Sequence, residues 1–294
     1  MKITFLGTGA GEGYPGLWCR CPHCDYARRH GGKNVRTNSC ALVDDALMID
    51  ISHGGFDTAA RMGLDLSQAT SLLITHPHED HVYPKHLLWR RTNEENIGQP
   101  YAAQIGQGGP RFTSVPRLKM FGNRYTKEML ERYFASNYEQ KYTSFEELGI
   151  TFETVSEEAS FETDGYVVQP VRGNHVKPGF THGYIITKDE RTLLYALDSG
   201  MYDEDMLQLL TGCRYDLIVM EGTTGLNDQR GGHMSLESNK RMLELFRSRG
   251  CMKEGCRFVL THLSPHWCPP HDFYEGMVAL EGMELAWDGR VIDF

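Results

Sequence analysis

The order of the predicted elements favours an α/β fold, and it fits a four-layer αββα sandwich with helices outside two sheets. Strands outnumber the helices that are interspersed between them along 294 residues. No linker or change of composition divides the chain, so we expect a single domain over residues 1–294. A cluster of histidine and aspartate also follows an apolar run, and open α/β sheets bind ligands at the carboxyl ends of their strands.

Short apolar runs bounded by turn residues predict the strands. These strands cover residues 3–6, 40–43, 47–51, 71–75, 117–121, 151–155, 167–171, 183–187, 192–197, 217–220 and 257–260. A final hairpin is predicted to pair residues 283–287 with residues 290–294 across Asp288-Gly289, a favoured two-residue turn. Apolar residues at helical spacing predict the helices, with Pro84 at a first helical position. The helices cover residues 55–62, 84–91, 127–135, 202–210, 235–249 and 271–282.

Residues 92–116 form a stretch with no clear periodicity that is rich in glycine and proline. Loops of this length are uncommon inside compact domains, where they often serve as lids or binding loops. Because the stretch closely follows the histidine cluster, one interpretation is a lid over that site. The other is a surface insertion.

The net charge and the N-terminal segment limit the classes of function. A formal net charge of −9 argues against a protein that wraps nucleic acid, because phosphate binding needs a basic surface. No apolar run has the length of a transmembrane helix, and the first residues lack the apolar region of a signal peptide. We therefore expect a cytoplasmic protein with no membrane partner. In such a chain, clustered cysteines suggest metal binding before disulfides.

The most informative motif is H-x-H-x-D-H, at the end of the apolar run 71–74. Its three imidazoles and one carboxylate exceed what one metal site uses, and such ligands suit hydrolytic metals. A polar turn rich in histidine is the alternative. Further candidates stand just beyond predicted strands or in a glycine-rich loop, which predicts one metal site at an edge of the sheets. The candidates are His76, His78, Asp80 and His81 of the motif, and His175, Asp198, His233 and His262 beyond it.

These motifs, with the opening Thr4-Phe5-Leu6-Gly7-Thr8-Gly9, resemble the metallo-β-lactamase superfamily of di-metal hydrolases over essentially the whole chain. The resemblance implies the αββα fold and a dinuclear centre of zinc, manganese or iron. Two such metals would hold a bridging hydroxide that attacks the substrate. The resemblance assigns His76, His78 and His175 to one metal, Asp80, His81 and His262 to the other, and Asp198 to a bridging position.

Two acidic residues, Asp50 and Glu79, are candidates to orient the ligating histidines. Metal-bound imidazoles need an acceptor on their other ring nitrogen, which fixes the tautomer and the ring orientation.

A second metal-binding pattern is C-x-C-x-x-C, formed by Cys19, Cys21 and Cys24. It resembles the cysteine-rich structural zinc site of the phosphonate-pathway phosphodiesterase and of pyrroloquinoline quinone biosynthesis protein B. Three free thiols in a loop are the alternative. A structural zinc normally takes four ligands, so one must come from elsewhere. The candidates for the fourth ligand are His266, in first place, and then Cys268 and His23.

Two further elements narrow the reaction type. The sequence G-H-M-S at residues 232–235 resembles the Gly-His-Ser-Thr motif of tRNA 3′-processing endonucleases, where the histidine is a general acid on the leaving oxygen. The sequence E-G-T at residues 221–223 resembles the Glu-Ala-Thr element of the same enzymes, and Glu221 would hydrogen-bond to His233 and raise its pKa. The resemblance thus implies that Asp80, Glu221 and His233 take part in catalysis.

The combined patterns predict a phosphodiesterase with two catalytic metals and one structural zinc, acting on a small or cyclic phosphate or nucleotide. One alternative is a tRNA 3′-endonuclease, although the net charge and the lack of an evident tRNA-binding arm count against it. Another is a non-hydrolytic cofactor-biosynthesis protein like the quinone protein, although all seven candidate ligands are retained. For the oligomeric state, a homodimer is the expectation at the level of the superfamily.

Overall fold

The computed structural model describes residues 1–90, 115–136, 143–228 and 231–294. The strands in this part of the chain are β1 (Lys2–Gly7), β2 (Cys40–Val43), β3 (Leu47–Ile49), β4 (Ser71–Leu73), β5 (Leu118–Gly122), β6 (Ile150–Thr154), β7 (Phe161–Thr163), β8 (Tyr166–Arg172), β9 (His182–Lys188), β10 (Arg191–Ala196), β11 (Tyr215–Glu221), β12 (Met252–Thr261), β13 (Glu284–Leu285) and β14 (Val291–Asp293). The helices are α1 (Pro22–His30), α2 (Gly55–Met62), α3 (Lys85–Leu88), α4 (Arg124–Ala135), α5 (Glu204–Thr211), α6 (Leu236–Ser248) and α7 (His271–Leu280).

The strands form two seven-stranded sheets of matching design. The first sheet has the order β14-β1-β2-β3-β4-β5-β6, and the second has the order β13-β12-β11-β10-β9-β8-β7. In the first sheet the pairs from β3 to β6 are parallel and the others antiparallel. In the second sheet the pairs from β10 to β13 are parallel and the others antiparallel. Each sheet therefore has one parallel region whose carboxyl ends can carry functional loops.

Three apolar clusters separate four layers, because alternate residues of a strand point to opposite faces of its sheet. Leu193 and Tyr195 of β10 belong to the cluster between the two sheets. Leu194 and Ala196 of the same strand belong to a cluster that includes buried residues of α5, α6 and α7. A third cluster joins the outer face of the first sheet to α2, α3 and α4. This is the predicted αββα sandwich.

Most predicted strands and helices agree with the structure to within a few residues, but the C-terminal hairpin does not. Residues 284–285 instead pair parallel with β12 in the second sheet, while residues 291–293 pair antiparallel with β1 in the first. The turn between them crosses from one sheet to the other. Its Asp288 carboxylate accepts hydrogen bonds from the Thr8 hydroxyl and the Thr37 N–H, both at 2.6 Å, and Gly289 N–H donates to Phe5 O. These tertiary bonds outweigh the local hairpin preference of Asp-Gly.

Among the strands and α-helices of the described residues, two were not predicted, α1 and β7. Helix α1 buries only Cys24 and Ala27, so it has little apolar periodicity to detect. Its start has a recognisable signal, because Pro22 occupies the first turn and the Cys21 side chain accepts a bond from Cys24 N–H. The predicted helix 84–91 is shorter than expected, with α3 ending at Leu88.

The predicted lid, residues 92–116, lies almost entirely outside the described residues, so its role stays a prediction. No helix in the described ranges is both long enough and apolar enough to span a bilayer.

Candidate dinuclear metal centre

Loops at the carboxyl ends of four strands bring the seven predicted metal ligands together. The loop after β4 carries the H-x-H-x-D-H motif, and the loops after β8, β10 and β12 carry one ligand each. Both sheets thus contribute to the site. The seven residues are His76, His78, Asp80, His81, His175, Asp198 and His262, whose side-chain donor atoms form overlapping groups within 4.8 Å of one another.

The first half-site consists of three imidazoles. His78 Nδ1 lies 2.9 Å from His76 Nε2 and 3.4 Å from His175 Nε2. Burial lowers the pKa of all three imidazoles, most strongly that of His76. Neutral imidazoles are the form that binds a metal.

The second half-site combines two imidazoles with a carboxylate. His81 Nε2 lies 3.2 Å from His262 Nε2 and 3.3 Å from Asp80 Oδ2, and His262 Nε2 lies 3.4 Å from the same Asp80 oxygen. Burial raises the pKa of the Asp80 carboxyl, but His81 and His262 outweigh it and hold that pKa well below its usual range. The carboxylate form of Asp80 is therefore favoured, as metal binding needs.

Asp198 lies between the two half-sites. Its Oδ2 atom is 2.9 Å from His81 Nε2 and 3.2 Å from His262 Nε2, and it also groups with His76 of the first half-site. This oxygen is buried, and the two ring nitrogens face it without a hydrogen bond of good geometry. A buried carboxylate in such a position is stabilised by a nearby cation.

These distances are compatible with metal coordination. Donor atoms about 2.0–2.1 Å from a tetrahedral metal are separated by about 3.3 Å. The observed separations, from 2.9 to 3.4 Å, agree with that value. The donor set of imidazoles and carboxylates also suits zinc, manganese or iron.

Hydrogen bonds on the second ring nitrogen orient most of the five candidate histidine ligands. His81 Nδ1 lies 2.7 Å from Asp50 Oδ2, and Thr223 Oγ1 lies 2.8 Å from His262 Nδ1. His175 Nδ1 lies 3.2 Å from the Gly232 carbonyl oxygen. The interpretation of Asp50 as an orienting residue is therefore supported by its contact. Sequence reasoning missed Thr223, although its position two residues after Glu221 could have suggested it.

Asp50 is fully buried and is itself held in place. It accepts bonds from Thr75 N–H at 2.8 Å and from the Thr75 hydroxyl at 3.0 Å. Glu79, by contrast, is exposed, and no hydrogen bond connects it to a histidine in the part of the chain described here. The prediction that Glu79 orients a ligand is wrong, because a side chain directed to solvent cannot reach a buried ring nitrogen.

Backbone conformation also marks this site. Asp50, Asp198 and His262 all have a positive φ, of 62°, 48° and 58°. Non-glycine residues adopt this left-handed conformation rarely, and it is concentrated at functional sites. At a strand end it turns the chain sharply, and the side chain is then directed into the site instead of continuing the ladder.

His233 and Glu221 form a hydrogen-bonded pair beside the two half-sites. His233 Nδ1 lies 2.9 Å from Glu221 Oε1, and the same carboxylate accepts bonds from Ser199 N–H at 2.8 Å and Thr223 N–H at 3.1 Å. Burial lowers the pKa of the imidazole, but Glu221, followed by Asp198, outweighs it and raises the pKa to about 9. His233 also groups with His175 and Asp198 within 4.8 Å, so its position is compatible with either ligation or proton transfer.

The three thiols of Cys19, Cys21 and Cys24 lie within 4.8 Å of one another at the start of α1. Tetrahedral zinc with bonds of about 2.3 Å would separate its sulfur ligands by about 3.8 Å, so the cluster can hold such a metal. Backbone N–H groups donate to each sulfur, at 3.3 Å from Gly16 and 3.4 Å from Cys21 and Cys24. Such bonds stabilise thiolates.

The fourth ligand of this cluster stays a prediction. His266 is half exposed, with its Nε2 atom 3.5 Å from Glu12 Oε1. His23 Nδ1 lies 2.9 Å from the Pro265 carbonyl oxygen, which brings the loop with His266 against α1. The Cys268 thiol is buried and donates to the Gly222 carbonyl oxygen at 3.3 Å, so Cys268 is engaged behind the dinuclear site.

A beta-lactamase superfamily domain model matches residues 48–263. The chain belongs to this superfamily. Its metallo-β-lactamase fold is that of metal-dependent hydrolases, among which is the diphosphatase named below.

Solved structures show the same fold. A diphosphatase from the PhnP family is 19% identical, with a TM-score of 0.69 over 100% of this chain and 98% of that one. Zinc-bound PqqB from Methylobacterium extorquens is also 19% identical, with a TM-score of 0.69 over the whole of both chains. The short form of human tRNase Z is 20% identical, with a TM-score of 0.62 over 100% of this chain and 99% of that one. At these identities the likeness concerns the fold alone.

One curated protein matches part of the sequence. An octanoyltransferase from Porphyromonas gingivalis is 34% identical over 84 residues, which are 28% of this chain and 16% of that protein. Such a short alignment does not extend the activity of that protein to this one.

Proposed function

We propose that this protein is a phosphodiesterase that acts on a small or cyclic phosphate or nucleotide. The proposal is carried by the His233–Glu221 pair, which stands beside a complete set of seven candidate ligands. Two divalent cations held there would supply an activated water and would neutralise charge on the phosphate oxygens. A dinuclear centre alone is compatible with many hydrolytic reactions. A histidine paired with a carboxylate beside that centre favours a reaction whose poor leaving group needs a proton.

Glu221 determines which nitrogen of His233 can act on a substrate. Because Nδ1 is bonded to the Glu221 carboxylate at 2.9 Å, Nε2 is the nitrogen left to donate a proton. Glu221 is fully buried and is fixed by two backbone N–H groups, so the imidazole has little freedom to turn. A fixed donor beside the reacting phosphate is what general-acid catalysis requires.

The test is the dependence of the rate on the leaving group. His233→Ala should lower kcat/KM modestly for bis(4-nitrophenyl) phosphate, because 4-nitrophenolate leaves without a proton. For alkyl diesters the loss should reach about 10²–10⁴-fold, because an alkoxide needs that proton. His30→Ala, an exposed histidine at the end of α1, is the matched control.

The metal content of the variant distinguishes the two roles that the position of His233 allows, metal ligand and general acid. The variant should keep the metal content of the unaltered protein, near three ions per chain by elemental analysis, from two catalytic metals and one structural zinc. Loss of a metal would instead make His233 a ligand, and an equal rate loss for all leaving groups would exclude the general-acid role. Cleavage of precursor tRNA at physiological salt would favour the endonuclease alternative.

A further inference from the structure

A cavity of about 590 Å³ opens beside His233, outside the ring of seven candidate ligands. Its wall comes from the loops after β8 and β10, from the loop before α6, and from α6 itself. We call it the His233 cavity, and its principal lining residues are Asn174, Val176, Met201, Gly232, His233 and Arg241. Cavities of this size are typical of sites for small molecules.

Hydrogen bonds between the loops hold this wall together. Asn174 N–H donates to the Ser199 hydroxyl at 2.8 Å, and the Asn174 amide donates to the Met201 carbonyl at 3.2 Å. Gly200 N–H donates back to the Asn174 carbonyl at 3.2 Å. Gly200 lies so close to the next loop that a Cβ atom there would be 1.9 Å from Gly231 O. The cavity is therefore preformed, which limits the ordering cost of binding.

Val176 stands in this wall in a strained conformation. Its φ is 61°, and Lys177 N–H donates to His175 O at 2.7 Å, which together define a classic γ-turn. This turn is rare, and a β-branched residue at its centre is a genuine outlier. Val176 is nevertheless 67% exposed, so burial of its side chain does not account for the strain. Strain of this kind is typical of ligand-contacting positions.

The charges of the cavity favour a neutral ligand group. Apart from His233, whose proton the proposed mechanism directs to the leaving oxygen, Arg241 is the cation among the described lining residues, and it pairs with Asp228 at 3.3 Å and Glu237 at 3.7 Å. No positive charge is thus left over in the described wall for a second phosphate. Among the lining residues, Val176 and Met201 offer apolar contact, while Asn174 and Arg241 offer polar contact. A hydroxylated ring with an apolar face matches both.

We propose that the His233 cavity binds the leaving alcohol of the substrate, and that this alcohol is a neutral nucleoside. The inference rests on the proposed function, because His233 lines the cavity and would protonate the leaving oxygen. In the reaction the water oxygen bonds to phosphorus, and the bond from phosphorus to the leaving oxygen breaks. The His233 proton passes to that oxygen. One water proton restores His233 and the other is released to solvent, so a diester and water give a monoester and an alcohol.

The experiment compares two diesters that differ only in the leaving alcohol. Thymidylyl-(3′→5′)-thymidine releases thymidine, whereas thymidine 3′-(methyl phosphate) releases methanol, and both yield thymidine 3′-phosphate, which chromatography quantifies. We expect kcat/KM to favour the dinucleoside by about tenfold or more, in the range that apolar contacts provide. Val176→Gly and Met201→Trp should each reduce this preference several-fold, the first by removing contact and the second by filling the cavity.

Val176→Gly has a second, opposite expected effect, because glycine tolerates the positive φ. Its midpoint temperature of unfolding should rise while its preference for the nucleoside falls. Glu190→Gly is the matched control, since Glu190 has a φ of 64° in the turn between β9 and β10. That variant should gain thermal stability and keep the wild-type preference.

Failure of this inference and failure of the proposed function give different results. If bis(4-nitrophenyl) phosphate is hydrolysed but the wild-type protein shows no preference, or if both cavity variants retain it, the inference about the His233 cavity is overturned. If none of the diesters is hydrolysed by metal-loaded protein, the proposed function itself fails and the inference falls with it.

Discussion

The dinuclear centre and the thiol cluster of Cys19, Cys21 and Cys24 are two candidate metal sites built in opposite ways. The dinuclear centre draws its ligands from loops after four strands of two sheets, and most of its side chains are buried. The thiol cluster draws three ligands from six consecutive residues, and two of these cysteines are partly exposed. One site depends on the whole fold, whereas the other depends on one loop and the first turn of α1.

The supporting bonds differ in the same way. Buried side chains, Asp50 and Thr223, orient imidazoles of the dinuclear centre across sequence separations of 31 and 39 residues. Nearby backbone N–H groups orient the thiols across separations of two to eight residues. We therefore expect a change in the dinuclear centre to lower the catalytic rate. A change in the thiol cluster should lower the stability of its own part of the chain.

The largest expected effect follows from removing the bridging carboxylate. Asp198→Ala should lose metal from both half-sites, because Asp198 Oδ2 is close to donor atoms of each. Diesterase activity should then fall by about three orders of magnitude or more, since the charge stabilisation given by the metals is lost. Elemental analysis should find about one metal per chain, the zinc of the thiol cluster.

Asp216→Ala is the matched control for this change. Asp216 is also a buried aspartate, but it pairs with Arg191 and Lys253 at the start of β11. The control should lose stability and retain its catalytic metals. An Asp198→Ala protein that still holds two catalytic metals would show that the half-sites are independent.

A smaller effect is expected when one orienting residue is changed. Asp50→Asn weakens the acceptor of His81 Nδ1, so the half-site that contains His81 should bind metal about 10–100-fold less tightly. The other half-site should change less, since its three imidazoles make no direct bond to Asp50. Competition with a chelator, followed by spectroscopy of a cobalt-loaded protein, would measure the two affinities.

Asp44→Asn provides the comparison for Asp50. Asp44 accepts bonds from Lys2 N–H and the Tyr166 hydroxyl, and neither of these residues is a candidate ligand. Its amide variant should leave both metal affinities unaltered. An equal loss at both half-sites in Asp50→Asn would mean that Asp50 acts through the general structure of the site.

The sequence was sufficient to predict those features that depend on a few neighbouring residues. Apolar runs located the strands of both sheets, and H-x-H-x-D-H located four ligands that lie on one loop. Contacts between segments that are distant in the chain could not be predicted from such local patterns. The predicted C-terminal hairpin is wrong because Thr8 and Thr37 donate hydrogen bonds to Asp288 and hold its turn against the first sheet.

The same limit applies inside the site. The exposed Glu79 and the buried Asp50 were equal candidates in the sequence, since burial is decided by packing. The strained turn at Val176 gave no signal, because a valine after a histidine suggests an extended strand. Helix α1 was missed since it buries only Cys24 and Ala27, which leaves little apolar periodicity to detect.

The smallest expected effect concerns the thiol cluster. Cys24→Ser should lose the structural zinc, and the catalytic metals and kcat should change little, because these thiols contact none of the seven ligands in the described structure. The unfolding temperature should fall by a few degrees, about 2–4 °C for each kcal/mol lost in a chain of this size. Hydrogen exchange should increase in α1, which buries only Cys24 and Ala27.

Cys213→Ser, at a half-buried cysteine that is not one of the three clustered thiols, controls for the loss of a thiol. His266→Ala should reproduce the zinc loss of Cys24→Ser if His266 is the fourth ligand, whereas His23→Ala or Cys268→Ser would do so if one of those residues is. A large fall in kcat for Cys24→Ser at full catalytic metal content would contradict the division between the two sites. The zinc would then support the active site through the contact of His23 with Pro265, three residues beyond His262.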